Sequence, residues 1–223
     1  ATNYSYHPII EMHYNMYLSS LDHESDEKYM KFKDSVTKNL HLFHSEEKFN
    51  LLLALESCCV SRLGMERINI HKDLMDVYEL MLENKVFSES SKGYIQANLF
   101  RNIFYTAVVL KRYQWAEEFV NDYYEMLLPE QKLDMYNYTK AILNFERSQF
   151  DTALEFIGKV NHSFFVFKYE ARVLMMKLYY ELKSFEPALS LIDSFSHFLS
   201  KNKIVSESFK EPFMSFNRYL KLL

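Results

Sequence analysis

Three segments, YQWA (Tyr113–Ala116), FDTA (Phe150–Ala153) and FEPA (Phe185–Ala188), each place an aromatic residue three positions before an alanine. The alanines stand at positions 116, 153 and 188, so the pattern recurs after 37 and 35 residues. Two helices approach closely only where a side chain is short, and a small residue at this period is typical of stacked helical hairpins. The stretch from Leu99 to Leu199 therefore predicts an all-α fold, a solenoid of antiparallel helix hairpins.

Composition supports a helical chain. The 223 residues include only 3 glycines and 4 prolines, whereas a loop-rich or β protein needs many of both for its turns. Aromatic residues make up 17% of the chain, and we interpret most of them as core filling between helices. Apolar periodicity predicts about eleven helices, at 4–21, after Ser25 to about 43, and at 49–63, 68–82, 94–110, 113–128, 133–147, 150–160, 164–182, 185–199 and 207–223.

Helix-terminus signals accompany these stretches. Serines at positions 25, 45, 148 and 184 precede apolar runs and are predicted as N-caps. Pro129 is predicted to stop one helix and to open the next, because a proline is tolerated in the first turn. Gly64 suits the position just past a helix end.

The helices are expected to form one continuous solenoid. Residues 1–90 would form irregular N-terminal hairpins, 91–200 three regular hairpins, and 201–223 a C-terminal capping helix. A Ser-rich connection at 87–93 marks the change from irregular to regular hairpins.

The three regular hairpins resemble tetratricopeptide repeats, whose unit of about 34 residues contains a helix A and a helix B. The glycine that precedes the aromatic residue in that family is absent here. The resemblance implies a right-handed superhelix with a concave face lined by the A helices. It is carried by Phe100, Ile103, Ala107, Tyr113, Ala116, Val120, Phe150, Ala153, Ile157, Val160, Met175, Tyr179, Phe185, Ala188 and Ile192.

Counting back from the aromatic landmark of each unit gives a candidate peptide-binding groove. Aromatic and aliphatic side chains would anchor a peptide, and two cations would orient an acidic group on it. The predicted groove residues are Arg101, Tyr105, Tyr138, Ile142, Lys177 and Tyr180. A purely structural interpretation also holds for these positions, since half of them can pack against the neighbouring A helix.

No pattern in the chain predicts catalysis or a cofactor. Three widely separated glycines exclude a phosphate-binding loop or a dinucleotide fingerprint. His41, His44 and Glu47 have spacings that can place ligands near one metal, but we favour ordinary surface residues. The carboxylates of Glu118 and Asp122 are interpreted as parts of solvated helix faces. We therefore expect no enzyme activity, no metal and no cofactor.

Charge, apolar runs and cysteine content predict which partners the chain lacks and which compartment it occupies. The net charge is −4 and no Lys/Arg-rich run occurs, so we expect no nucleic-acid partner. Apolar runs such as Leu51–Leu55 are too short to cross a bilayer, residues 1–17 lack a signal-peptide pattern, and no membrane partner is expected. Cys58 and Cys59 are interpreted as reduced core residues of a cytoplasmic protein.

A non-catalytic scaffold that binds a protein or peptide through its concave face is the function these features favour. One alternative is a structural or self-association module, either a homodimer or part of a larger multidomain protein. The missing initiator Met is consistent with processing or with a longer chain. A more remote alternative is a ligand-sensing regulator.

Overall fold

A computed structural model describes residues 8–62, 70–87, 93–161, 165–203 and 206–222. Within these ranges the chain forms eleven α-helices and two short 3-10 turns, with no β-strand. The backbone divides into two compact units, Ala1–Leu128 and Pro129–Leu223. The all-α class predicted from the sequence is confirmed for the part of the chain that the structure describes.

The described residues of unit 1, Ala1–Leu128, form six α-helices, and each helix packs against the next one along the chain. The 3-10 turns, Leu40–Leu42 and Tyr124–Met126, follow the second and sixth helices. The α-helices are α1 (Pro8–Leu21), α2 (Asp26–Asn39), α3 (Ser45–Ser61), α4 (Ile70–Asn84), α5 (Ala97–Val109) and α6 (Tyr113–Tyr123).

The core of unit 1 is built from apolar residues that recur at helical spacing along its helices. Tyr29, Phe32 and Val36 of α2 are buried, and so are Leu52 and Leu55 of α3. In α4, within the predicted helix 68–82, the apolar residues at helical spacing are all buried: Ile70, Leu74, Val77, Tyr78, Met81 and Leu82. A helix that buries such a stripe is held mainly by tertiary packing rather than by its intrinsic propensity.

In unit 2, Pro129–Leu223, the part of the chain that the structure describes forms five α-helices, and each again packs against the next. They are α7 (Pro129–Glu146), α8 (Phe150–Gly158), α9 (Phe165–Glu181), α10 (Phe185–Lys201) and α11 (Glu207–Leu220). Pro129 is the first residue of α7, as predicted, where its missing N–H removes no helical hydrogen bond.

Aromatic residues dominate the C-terminal part of unit 2. Tyr169 of α9 and Phe195 of α10 are fully buried, with ring centres 5.7 Å apart. Phe209 and Phe213 of α11 pack against Tyr169 at 5.4 and 5.3 Å. The last helix therefore covers apolar surface that α9 and α10 leave open.

Three hairpins share one turn geometry at their bends. Lys111, Ser148 and Lys183 each stand two positions before the landmark aromatic residue and have φ of 57, 58 and 56°. In each turn this residue and the next donate backbone hydrogen bonds of 2.8–3.0 Å to carbonyls of the preceding helix, three and five residues earlier. This is a Schellman ending, in which a residue in the left-handed region is usually glycine. Helix α4 ends in the same way at Lys85, with φ of 54°.

The predicted serine caps divide into three outcomes. Ser25 caps α2, because its hydroxyl accepts from the Lys28 N–H at 3.3 Å. Ser184 occupies the N-cap position of α10, but its side chain makes no cap hydrogen bond.

The other two serine predictions are wrong. Ser148 is the left-handed residue that ends α7, and Gln149 is the N-cap of α8. Ser45 is the first residue inside α3, whose N-cap is His44. Gly64, which is predicted to follow the end of a helix, lies outside the described residues.

The three repeat alanines are buried as predicted. Ala116 and Ala153 have no exposed surface and Ala188 is 6% exposed. Each lies in the second helix of a packed pair, α5 with α6, α7 with α8 and α9 with α10. The structure thus has consecutive packed helix pairs, as a helical repeat requires.

Candidate peptide-binding surfaces

The six predicted groove residues divide between the two units and differ in accessibility. In unit 1, Tyr105 of α5 is 45% exposed, and the guanidinium carbon of Arg101 lies 5.4 Å from its ring centre. Arg101 also donates to the Asn102 side-chain oxygen at 2.9 Å. The Arg101 cation and the exposed Tyr105 ring together give α5 a surface that can contact both charged and apolar groups.

Two of the four groove residues in unit 2 are internal. Tyr138 is 3% exposed, and its hydroxyl donates to the Glu170 carboxylate of α9. Ile142 is 8% exposed. These two side chains therefore pack α7 within unit 2, in agreement with the purely structural interpretation of the groove positions.

Lys177 and Tyr180 of α9 are accessible. Lys177 is exposed, and Tyr180 is 38% exposed with its ring edge-to-face against Phe185 at 6.4 Å. Phe185 is itself 54% exposed. The bend between α9 and α10 therefore presents two adjacent aromatic rings and a cation to solvent.

A deeper surface, which the sequence did not predict as a site, is a cleft in unit 1 between α4 and α6. Trp115 stacks on Phe119 at 5.6 Å with the rings 3° from parallel, and Phe119 stacks on Tyr123 at 5.3 Å. The three rings stand four residues apart, so they share one face of α6. Phe119 is anchored from below by Phe100 of α5 at 4.7 Å. The cleft has a volume of about 360 Å³.

Four carboxylates surround these rings. Glu79 and Glu83 come from α4, and Glu118 and Asp122 come from α6. Gln114 donates to Glu118 at 3.0 Å. Among the described residues, Glu83 and Asp122 have no cationic partner. We call these four carboxylates and the three rings the α4–α6 cleft.

Arg112 shows how the α4–α6 cleft accommodates a guanidinium group. Its Nη2 atom pairs with Glu79 at 2.8 Å, and its guanidinium carbon lies 5.2 Å from the Trp115 ring centre. Aromatic faces attract cations through the ring quadrupole, and a nearby carboxylate adds charge attraction. Glu83 and Asp122 line the same cleft, so further carboxylates stand beside this cation site.

A basic pocket of about 440 Å³ lies in unit 2, at the C-terminal end of α10. Its lining includes His197, Phe198, Lys201 and Lys203. The Lys168 ammonium nitrogen lies 4.7 Å from the Phe198 ring centre. Lys201 also places a positive charge in the last turn of α10, where it interacts favourably with the helix dipole.

Of the two histidines weighed as metal ligands, His41 and His44, the second helps to begin a helix. The His44 backbone N–H donates to the Glu47 carboxylate at 3.0 Å, which caps the start of α3. His41 lies in the preceding 3-10 turn. Across the described ranges, no group of three or more His, Cys, Asp or Glu side chains is arranged to hold a metal ion.

None of the helices within the described ranges is long and apolar enough to cross a bilayer.

Comparison of the chain with protein-family models, with curated protein sequences and with solved structures gives no match. The function proposed below therefore rests on the geometry of the described surfaces.

Proposed function

We propose that this chain is a non-catalytic helical-repeat scaffold of tetratricopeptide type that binds a peptide segment of a protein partner. The α4–α6 cleft receives a lysine or arginine side chain of that segment. The proposal includes the right-handed solenoid expected from the sequence, in which the first helices of the hairpins line a concave face.

The observation that carries this function is the combination of a stacked aromatic ladder with four surrounding carboxylates. The half-buried rings of Trp115 and Tyr123 supply contact area at a low entropic cost, since few side-chain torsions must be fixed. Phe119, only 3% exposed, supports them from beneath. The carboxylates favour a cation, as the chain's own Arg112 illustrates by pairing with Glu79 beside the Trp115 ring. A purely structural ladder needs no carboxylates gathered from two helices around it.

The predicted groove residues support a second part of the same binding function. Tyr105 with Arg101, and Tyr180 with Lys177, each combine an exposed aromatic ring with a cation on the same helix. In this proposal each pair forms an additional contact surface within its own unit, apart from the α4–α6 cleft. Tyr138 and Ile142 support the surface from within unit 2 and do not contact the partner.

Trp115 provides a direct test, because it is the only tryptophan of the chain. We expect its fluorescence to change when the protein is titrated with an arginine-containing peptide, and the response to weaken with added salt. The same peptide with citrulline in place of arginine keeps the shape and loses the charge. Equal responses to the two peptides, or no response to either, would contradict the proposal.

A matched pair of variants locates the binding. Replacing two carboxylates, Glu83→Gln with Asp122→Asn, should weaken arginine-peptide binding about tenfold, since each exposed charge pair contributes up to about 1 kcal/mol. The control is Glu155→Gln on α8, an exposed carboxylate in unit 2, and it should leave binding unchanged.

A further inference from the structure

The outer face of α1 carries an exposed apolar stripe. Ile10 is 61% exposed, Tyr14 59%, Tyr17 57% and Leu21 64%. Their spacing of four, three and four residues places them in one line along the helix, as in the seam of a coiled coil. The stripe runs most of the length of a 14-residue helix, which is about 21 Å.

The opposite face of the same helix is already buried in unit 1. Met12 is 0% exposed and Ser19 is 2% exposed, with the Ser19 hydroxyl 3.6 Å from the Cys58 sulfur. Asn15 donates to Ser35 of α2 at 2.8 Å. The inner face of α1 is thus packed within unit 1, and its outer side is apolar too, which is typical of a helix covered on both sides.

The exposed stripe covers roughly 400 Å², since a tyrosine side chain has an area of about 200 Å² and each residue of the stripe exposes about three-fifths of its own. The largest apolar patch on a protein surface covers about 300–600 Å² and is often an interaction site. A surface of this length and width fits a second helix.

We propose that a second copy of this chain covers the stripe, with the two α1 helices packed antiparallel about a two-fold axis. The stripe is symmetric about its centre, between Asn15 and Met16. Its spacing reads the same in both directions, and an aliphatic residue stands at each end with two tyrosines between. An antiparallel copy therefore places Ile10 against Leu21 and Tyr14 against Tyr17, each pair formed twice, as a two-fold interface requires.

Charge along the seam agrees with self-pairing. The residues that flank the stripe include one carboxylate, Glu11, and in the antiparallel arrangement it faces Ser20 of the second copy. His13 faces Leu18 of the second copy. No like charges are brought together, and like-charge contacts are the usual obstacle to pairing identical helices.

The size of the interface determines how strong the dimer is. Two copies of the stripe bury roughly 800 Å² in total, below the range of permanent complexes. The dimer is therefore reversible, with a dissociation constant of about 1–100 μM. Its population changes over the protein concentrations that sedimentation equilibrium covers.

Sedimentation equilibrium on the full chain tests the proposal. We expect the wild-type mass to rise from monomer towards dimer with concentration. Tyr14→Lys and Tyr17→Glu should each weaken self-association at least tenfold, with unchanged circular dichroism since both side chains point to solvent. The matched control is Leu133→Lys on α7, which changes an apolar side chain that is 69% exposed. This variant should dimerise like the wild type.

Mixing the two charged variants tests the antiparallel register. The introduced lysine of one chain faces the introduced glutamate of the other only if position 14 lies against position 17, so the mixture should form a heterodimer that neither variant forms alone. A wild-type chain that stays monomeric overturns the proposal, as does a dimer insensitive to the two variants. Failure of the mixture to associate overturns the antiparallel arrangement.

Discussion

At the scale of single residues, the hairpin bends carry a conformational cost. Lys111, Ser148 and Lys183 occupy the left-handed region, where a side chain with a Cβ atom loses about 1–2 kcal/mol relative to glycine. Glycine is the usual residue in such a helix ending, so a lysine or serine there does not indicate a left-handed backbone. The hydrogen bonds of the Schellman ending impose the conformation on whichever residue is present.

We predict that Lys183→Gly stabilises the protein by about 0.5–1 kcal/mol. Relief of the left-handed strain exceeds the entropy that a glycine adds to the unfolded chain. A rise in the urea midpoint with an unchanged slope would show this.

The matched control for Lys183→Gly is Lys159→Gly. Lys159 also follows a helix but has φ of −86°, so glycine there can only cost stability. Similar effects of the two changes would show that backbone strain is not the cause.

At the scale of elements, helices α2, α3 and α4 meet around buried hydroxyl and thiol groups. The Tyr29 hydroxyl lies 3.0 Å from the Cys59 sulfur, and Tyr78 donates to Glu56 at 2.7 Å. Burial raises the pKa of the Cys59 thiol to about 12, and burial also raises the pKa of both tyrosines. The folded protein therefore holds these groups protonated at a pH where an unfolded chain releases their protons.

This difference predicts a loss of stability in alkali. An unfolded cysteine has a pKa of about 8.5, so between that value and about 12 the unfolded state binds fewer protons than the folded state and stability falls as pH rises. At pH 9.5 the cost from Cys59 is about 1.4 kcal/mol. Urea unfolding at pH 7.5 and 9.5 should show this loss in the wild type and a smaller loss in Cys59→Ala. Equal losses would assign the alkaline sensitivity to other groups.

The helices could be predicted from the sequence because their signals are local. Apolar periodicity found the buried stripe of α4, and Ser25 and Pro129 identified two helix starts. Ser148 was wrongly predicted as a cap because a serine before an apolar run looks the same whether it ends one helix or begins the next.

The candidate site was less predictable because its residues are distant in sequence. Glu79 and Glu83 lie on α4, and they border the rings of α6 only after folding. The recurrence of Trp115, Phe119 and Tyr123 every four residues was the signal that could have found the aromatic ladder. Groove positions counted from a repeat landmark share a register but not an environment, so Tyr105 is exposed while Ile142, its equivalent one repeat later, is buried.

At the scale of the whole molecule, the chain consists of two compact units, each with its own buried core. The boundary between Leu128 and Pro129 falls where α7 begins, so a cut there interrupts no helix. Unit 1 contains both α1 and the α4–α6 cleft. Unit 2 contains neither, and its core is centred on the aromatic cluster of Tyr169 and Phe195.

We therefore predict that fragments 1–128 and 129–223 each fold, with helical circular dichroism and a cooperative thermal transition, because a unit with its own core can be stable alone. Fragment 1–128 should dimerise and should bind the arginine-containing peptide with the affinities of the full chain, and fragment 129–223 should do neither. If fragment 1–128 is unfolded, its core depends on unit 2 and the two units are not independent. If both fragments fold but self-association follows fragment 129–223, the dimer uses a surface other than α1, and the apolar stripe of α1 faces a different partner.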